Sequence, residues 1–227
     1  KRHESGRSTN PLYTSGVSIG GNTTTALLNR YDDLTRDFGK FVIIGLSLGN
    51  EGIHNATNPR DIMSKFRQNM LKLIEQARAD GKIPVVMNNY TRDDFTKTDY
   101  ANIKRTNPYI HEWDVPSFNT LGAIDDGTGR WASGYMADGA HPNASGHTEF
   151  MYSMVPSLFD ALIEGKPLPV RDITHELTLE DKATLEFTPE ETTHSFTISL
   201  RVKGATPGKI LSFTNGIRKN TTGALVL

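Results

Sequence analysis

Two kinds of hydrophobic pattern alternate along the first three-quarters of the chain. The runs Phe41-Val42-Ile43-Ile44-Gly45-Leu46 and Ile83-Pro84-Val85-Val86-Met87 are uninterrupted by polar side chains, as expected of strands covered on both faces of a parallel sheet. Between them, Ile62, Phe66, Leu73 and Ala77 recur at helical spacing across residues 61–80, and Gly81 ends the run. A strand over 12–19 leads into the turn Gly20-Gly21-Asn22-Thr23, and Ala26, Leu27, Tyr31 and Leu34 then predict a helix over 23–37, capped by Asn22 or Thr23. Further on come a helix over 98–106, a weaker strand over 109–115 and a Gly- and Asp-rich loop over 122–134. A helix over 145–164 follows, carrying Phe150, Met154, Leu158 and Leu162. The alternation predicts an α/β fold, a three-layer α/β/α arrangement around a parallel sheet. Its functional loops belong at the carboxyl ends of the strands.

Helical periodicity stops at Pro167-Leu168-Pro169. Residues 177–179, 183–187, 195–202 and 209–213 then alternate as strands separated by Pro and Gly turns. The pattern therefore predicts an α/β domain over 1–166 and a β-rich segment over 167–227. That segment is short of the roughly 100 residues of a complete β-sandwich. The polar start, Lys1-Arg2-His3-Glu4-Ser5-Gly6, reads as the middle of a loop, so the sequence is expected to be a piece of a longer protein.

Composition narrows the classes. The 227 residues carry a net charge of −1 with no concentrated basic stretch, which argues against a nucleic-acid partner. The absence of cysteine excludes disulfides, a thiol nucleophile and Cys-ligated zinc. No apolar run is long enough for a membrane span.

The chemistry concentrates in Asp138-Gly139-Ala140-His141-Pro142. An acid three residues before a histidine can accept a ring N–H and fix the tautomer, which leaves the other nitrogen as a general base. Alone, the pair reads equally as an Asp capping the last helix beside a surface His. Gly21, through a backbone N–H, and Asn50, through its side-chain amide, are donors suited to a developing oxyanion, and each also reads as an ordinary turn or cap residue. His141 and His147 lack a third ligand nearby, so no metal is expected. Trp131 is expected to line a substrate cleft, and Trp113 to pack under the sheet's end.

Taken together these segments resemble the SGNH hydrolase superfamily of esterases and lipases, over roughly residues 12–165. Residues 17–24 resemble its second block, which implies a backbone oxyanion donor at Gly21. Leu48-Gly49-Asn50-Glu51 resembles the third block, Gly-x-Asn-Asp, with Glu51 in place of Asp and Asn50 as the second donor. Asp138-Gly139-Ala140-His141-Pro142 matches the fifth block, Asp-x-x-His-Pro. The first block, Gly-Asp-Ser, which carries the family's nucleophile, has no counterpart here; Ser8, Ser18 and Ser47 do not fit its place. The family's strand order, 2-1-3-4-5, implies that the missing first strand would lie between the strand at Leu12 and the strand at Phe41.

The resemblance implies a serine ester hydrolase of the carboxylesterase or acetylesterase type, working without a cofactor on a small-molecule or carbohydrate ester. The C-terminal strands from His194 to Phe213 resemble the start of a laminin-G-like or concanavalin-like sandwich. By association, that points to a glycan substrate and a secreted or periplasmic location. The alternative is a non-catalytic, hydrolase-like glycan-binding protein.

Overall fold

The computed structural model describes residues 17–35, 39–154 and 156–167, and the backbone of 209–214 and 221–226. These lie in two separate units.

In the first unit the strands β1 (Phe41–Ile44), β2 (Ile83–Met87) and β3 (Ser117–Phe118) form a parallel sheet in the order β1-β2-β3. The register pairs Phe41 with Ile83, Ile43 with Val85, and Met87 with Phe118. Paired residues share a face, so Phe41, Ile43, Val85, Met87 and Phe118 look to one side and Val42, Ile44 and Val86 to the other. The second face packs on α3 (Pro59–Ala79) and α4 (Lys97–Glu112) through Phe66, Met70, Leu73, Ile103 and Ile110. The first is covered by α7 (Pro156–Ile163), whose Phe159 meets the rings of Phe41 and Phe118 at 5.2 and 6.2 Å. Val85 and Val86 are both fully buried, so the central strand is covered on both faces as its apolar run predicts. The result is the three-layer α/β/α arrangement.

β1 departs from its expected burial. Ile43 is 44% exposed while Ile44 is 5% exposed. Among the described residues β1 pairs on one edge only, with β2, and Ile43 is left partly open to solvent.

Several element boundaries also move. The helix expected over 23–37 divides into α1 (Thr24–Asn29), capped by Thr23, and α2 (Asp32–Thr35), because Arg30 leaves helical geometry at φ −121°, ψ 26°. Residues 17–19 are not a strand, and the rest of that expected strand lies outside the described residues. The strand expected over 109–115 is instead the end of α4, which runs through Pro108 to Glu112. Fully buried Ile103 and Ile110 hold the helix together across the proline, and the chain becomes extended at Ser117. The expected loop begins with a short helix, α5 (Thr120–Ile124). The long last helix is two helices, α6 (Ala144–Ser153) and α7, because Met154 is extended at φ −91°, ψ 109° and Pro156 starts a new first turn.

The second unit contains an antiparallel pair, β4 (Lys209–Thr214) and β5 (Thr221–Val226). The strands expected over 177–179, 183–187 and 195–202 lie outside the described residues.

Candidate active site

Three loops at the carboxyl ends of the strands carry the candidate groups. The first follows β1. Leu48 and Ile53 are fully buried, and the Ile53 N–H donates to the Leu48 carbonyl at 3.1 Å, so the chain between them is closed into a compact turn. Asn50 and Glu51 stand on that turn. The Asn50 amide donates to the Asn22 carbonyl at 3.2 Å, and the Glu51 carboxylate accepts the Thr24 N–H at the start of α1. An acid at a helix N-terminus satisfies an otherwise orphaned donor. Glu51, where the family pattern has Asp, thus ties the Asn50 loop to the Gly21 turn. Gly21 itself has φ +76°, a left-handed conformation natural to glycine. Arg30 steadies the turn from behind, donating to the Asn22 side chain at 2.7 Å and the Val17 carbonyl at 2.9 Å. Asn50 has a second amide N–H to offer a ligand.

The second loop follows β2 and was not singled out from the sequence. Asn89 is fully buried and accepts the Leu48 N–H at 2.7 Å, and Asn107 of α4 holds both the backbone and the side chain of Asn89. Arg92, paired with Asp94, packs beside Gly49 of the Asn50 loop. A Cβ at Gly49 would come within 3.0 Å of Arg92 Cδ and 3.2 Å of Nη1. The glycine at the family's variable position therefore makes room for a neighbouring arginine. The signal was legible: Asn88-Asn89 are polar residues placed just where an apolar strand ends.

The third loop carries the acid–base pair. Asp138 accepts the Ala140 and His141 N–H groups at 3.1 and 2.9 Å, and both its carboxylate oxygens lie 2.9 Å from His141 Nδ1. A carboxylate only accepts, so Nδ1 carries the hydrogen and Nε2 is left with its lone pair. The bond to His141, then the backbone donors, hold the Asp138 carboxyl below its ordinary value. Both side chains are open to solvent, Asp138 at 59% and His141 at 69%. The capping alternative does not hold: the N-cap of α6 is Asn143, which accepts the Gly146 N–H at 3.0 Å and donates to the Gly134 and Met136 carbonyls.

The second loop joins the other two. The Asp93 N–H donates to the Gly139 carbonyl at 2.7 Å, while its neighbour Arg92 touches Gly49. Tyr90 senses both sides: burial raises its phenol, Arg92 lowers it and Asp138 raises it. Trp131 does not line a cleft. It is 6% exposed and packs beside Tyr90, Phe150, Ala123 and Ile124, so its indole serves as core beneath the third loop. Trp113 is partly buried against the main core. Among the described residues no three His, Asp or Glu side chains gather as metal ligands, and no helix is long and apolar enough to cross a membrane.

Comparison with known proteins places the fold. A GDSL-like lipase from Bacteroides thetaiotaomicron is 19% identical, with a TM-score of 0.53 over 65% of this chain and 73% of that one. The psychrotrophic esterase EstA from Pseudoalteromonas sp., in a structure inhibited by monoethylphosphonate, is 18% identical, with a TM-score of 0.50 over 72% of this chain and 82% of that one. At these identities the likeness is one of fold. No curated protein matches the sequence. The model of the GDSL-like lipase/acylhydrolase family matches residues 4–148, which is more than half of the chain. With that match, and with the parallel-sheet fold of its structural neighbours, the chain belongs to the GDSL-like lipase/acylhydrolase family of ester hydrolases.

Proposed function

We propose that this chain carries the acid–base pair and oxyanion hole of a serine ester hydrolase. The observation that carries the reading is the Asp138 carboxylate at 2.9 Å from His141 Nδ1, which leaves Nε2 as the base. The nucleophile in this reading is the serine of a Gly-Asp-Ser strand end, a tripeptide the 227 residues do not contain. The edge of β1 that has no partner among the described residues is where such a strand would fit in this reading. His141 Nε2 takes the serine proton as the hydroxyl oxygen bonds to the ester carbon, and the carbonyl electron pair moves onto oxygen. The Gly21 N–H and the second Asn50 N–H receive that oxyanion. Collapse expels the alcohol, protonated by His141, and water hydrolyses the acyl-enzyme by the same route.

The substrate in this reading is a small acyl ester, acetyl above all, of a small molecule or a carbohydrate. The carbohydrate part rests on the resemblance of the C-terminal strands to laminin-G-like modules, as does a secreted or periplasmic location. The test is Asn50→Ala in a catalytically competent form. Loss of one oxyanion donor is expected to lower kcat by a factor on the order of 10² to 10³, about 3 kcal/mol, with little change in KM. Unchanged ester turnover would remove Asn50 from the mechanism.

A further inference from the structure

A second Asp–His pair lies at the far end of the Asn50 loop. Asp99 is 2% exposed and stands in the first turn of α4. One of its oxygens, Oδ2, accepts the Thr96 N–H and hydroxyl, each at 2.8 Å, and also faces His54 Nδ1 at 2.9 Å. The carboxyl lies below its ordinary value because these donors outweigh its desolvation. His54 Nε2 faces the Asn55 amide at 2.8 Å. With Nδ1–H donated to a carboxylate, Nε2 must accept, so both ring nitrogens are engaged and the tautomer is set. Asn55 reaches the ring by adopting φ +52°, and among the described residues it is the one non-glycine with a left-handed backbone. The ring also stacks on Phe95 at 6.2 Å and 18°, and Phe95 lies beneath Gly49.

This loop therefore has an anchor at each end. Asn89 holds Leu48 at the inner end, and His54 is bonded to the rigid start of α4 at the outer end. Asn50 and Glu51 lie between. We propose that His54 is a positioning residue for the Asn50 donor: its bond to Asp99 closes the outer end of the loop and sets where the Asn50 amide lies. The proposal rests on the reading of Asn50 as an oxyanion donor and explains why a half-exposed histidine meets a buried carboxylate there.

Amide hydrogen exchange on the folded chain tests it. In His54→Ala, exchange at Asn50, Gly52, Ile53 and Thr24 is expected to accelerate by on the order of tenfold or more, because one charge-assisted bond is lost. Exchange at Ile83 and Val86, in the sheet, is expected to stay unchanged. His54→Asn, whose amide can replace the Nδ1–H donor, should restore the slow exchange. Asn55→Gly keeps the left-handed backbone but removes the second partner of the ring, and should give a smaller acceleration at the same amides. An acceleration shared equally by the sheet, no acceleration in either variant, or no rescue by Asn overturns the proposal. Asn50→Ala activity tests the underlying reading separately: a lost turnover there beside an undisturbed loop in His54→Ala retires the clamp and keeps the oxyanion hole.

Discussion

Gly146→Ala sets a favourable local effect against an unfavourable packing effect, and the structure decides which wins. Gly146 is buried in the first turn of α6, beneath the Asp138–His141 loop. A methyl group added there would fall 2.3 Å from the Tyr135 carbonyl oxygen and 2.8 Å from Pro142 Cβ. An ordinary carbon–oxygen contact is about 3.3 Å, so roughly 1 Å of displacement is needed. The Tyr135 oxygen cannot simply retreat, because it accepts the Asn143 N–H at 2.9 Å where α6 begins. Replacing a helical glycine by alanine favours folding by about 0.5–1 kcal/mol, whereas overpacking costs about 1–3 kcal/mol. The expected net result is destabilisation of about 1–2 kcal/mol, read as a lower urea midpoint with an unchanged slope. Ser145→Ala, on the exposed side of the same turn, is the control and should stay within about 0.5 kcal/mol. The variant should also shift the His141 ring resonances, since Pro142 adjoins that residue. A Gly146→Ala protein as stable as the parent would refute the packing argument.

Two further outcomes follow from the polar groups around the strand ends. Asn89→Ala leaves the buried Leu48 N–H without its acceptor and removes the side-chain bond from Asn107, while the Asn107 bonds to the Asn89 backbone remain, so a loss of about 1–3 kcal/mol is expected by thermal or urea unfolding. His111 gives a pH dependence. The Asn88 oxygen accepts the Leu121 N–H at 3.0 Å, so its amide nitrogen faces His111 Nε2, and that ring nitrogen must be unprotonated. Desolvation holds the folded His111 below its ordinary 6.5. The unfolded chain therefore takes the proton first, and the stabilisation is complete above about pH 6.5 and lost as pH falls through the folded value. His111→Asn should flatten that part of the stability curve between pH 7.5 and 5.5; an unchanged slope in this variant would count against the assignment.

The parallel sheet and the Asp138–His141 pair were legible because each depends on local sequence. Uninterrupted apolar runs mark buried strands, and an acid three residues before a histidine is close to it in any tight turn. The helical reach of α4 was not legible, because Pro108 signals a break that only the burial of Ile110 overrides. Trp131 looked like a cleft residue because its neighbours are glycines and acids, yet its burial comes from Tyr90 and Phe150, distant in sequence. The partners of the Asn50 loop are set by the same kind of long-range packing. Asn89, Arg92 and Asp99 meet it only through the tertiary fold, and nothing in the spacing of Leu48-Gly49-Asn50-Glu51 points to them. The role of Gly49 in admitting Arg92 shows how a departure from a family pattern can record a neighbouring side chain.

The proposed function has Asp138 and His141 serve the serine of a Gly-Asp-Ser strand end, a tripeptide the 227 residues do not contain. The most direct measurement is p-nitrophenyl acetate hydrolysis by the 227-residue chain, by the same chain with a strand ending in Gly-Asp-Ser joined ahead of Lys1, and by the His141→Ala variant of the longer form. The account predicts only histidine-background turnover for the first and serine-dependent turnover for the second. It predicts loss of that turnover in the third, and no activity limb from Asp138 above about pH 4, since its carboxyl lies below the ordinary 3.8. Serine-dependent turnover by the 227-residue chain alone, or full activity without His141, would contradict it.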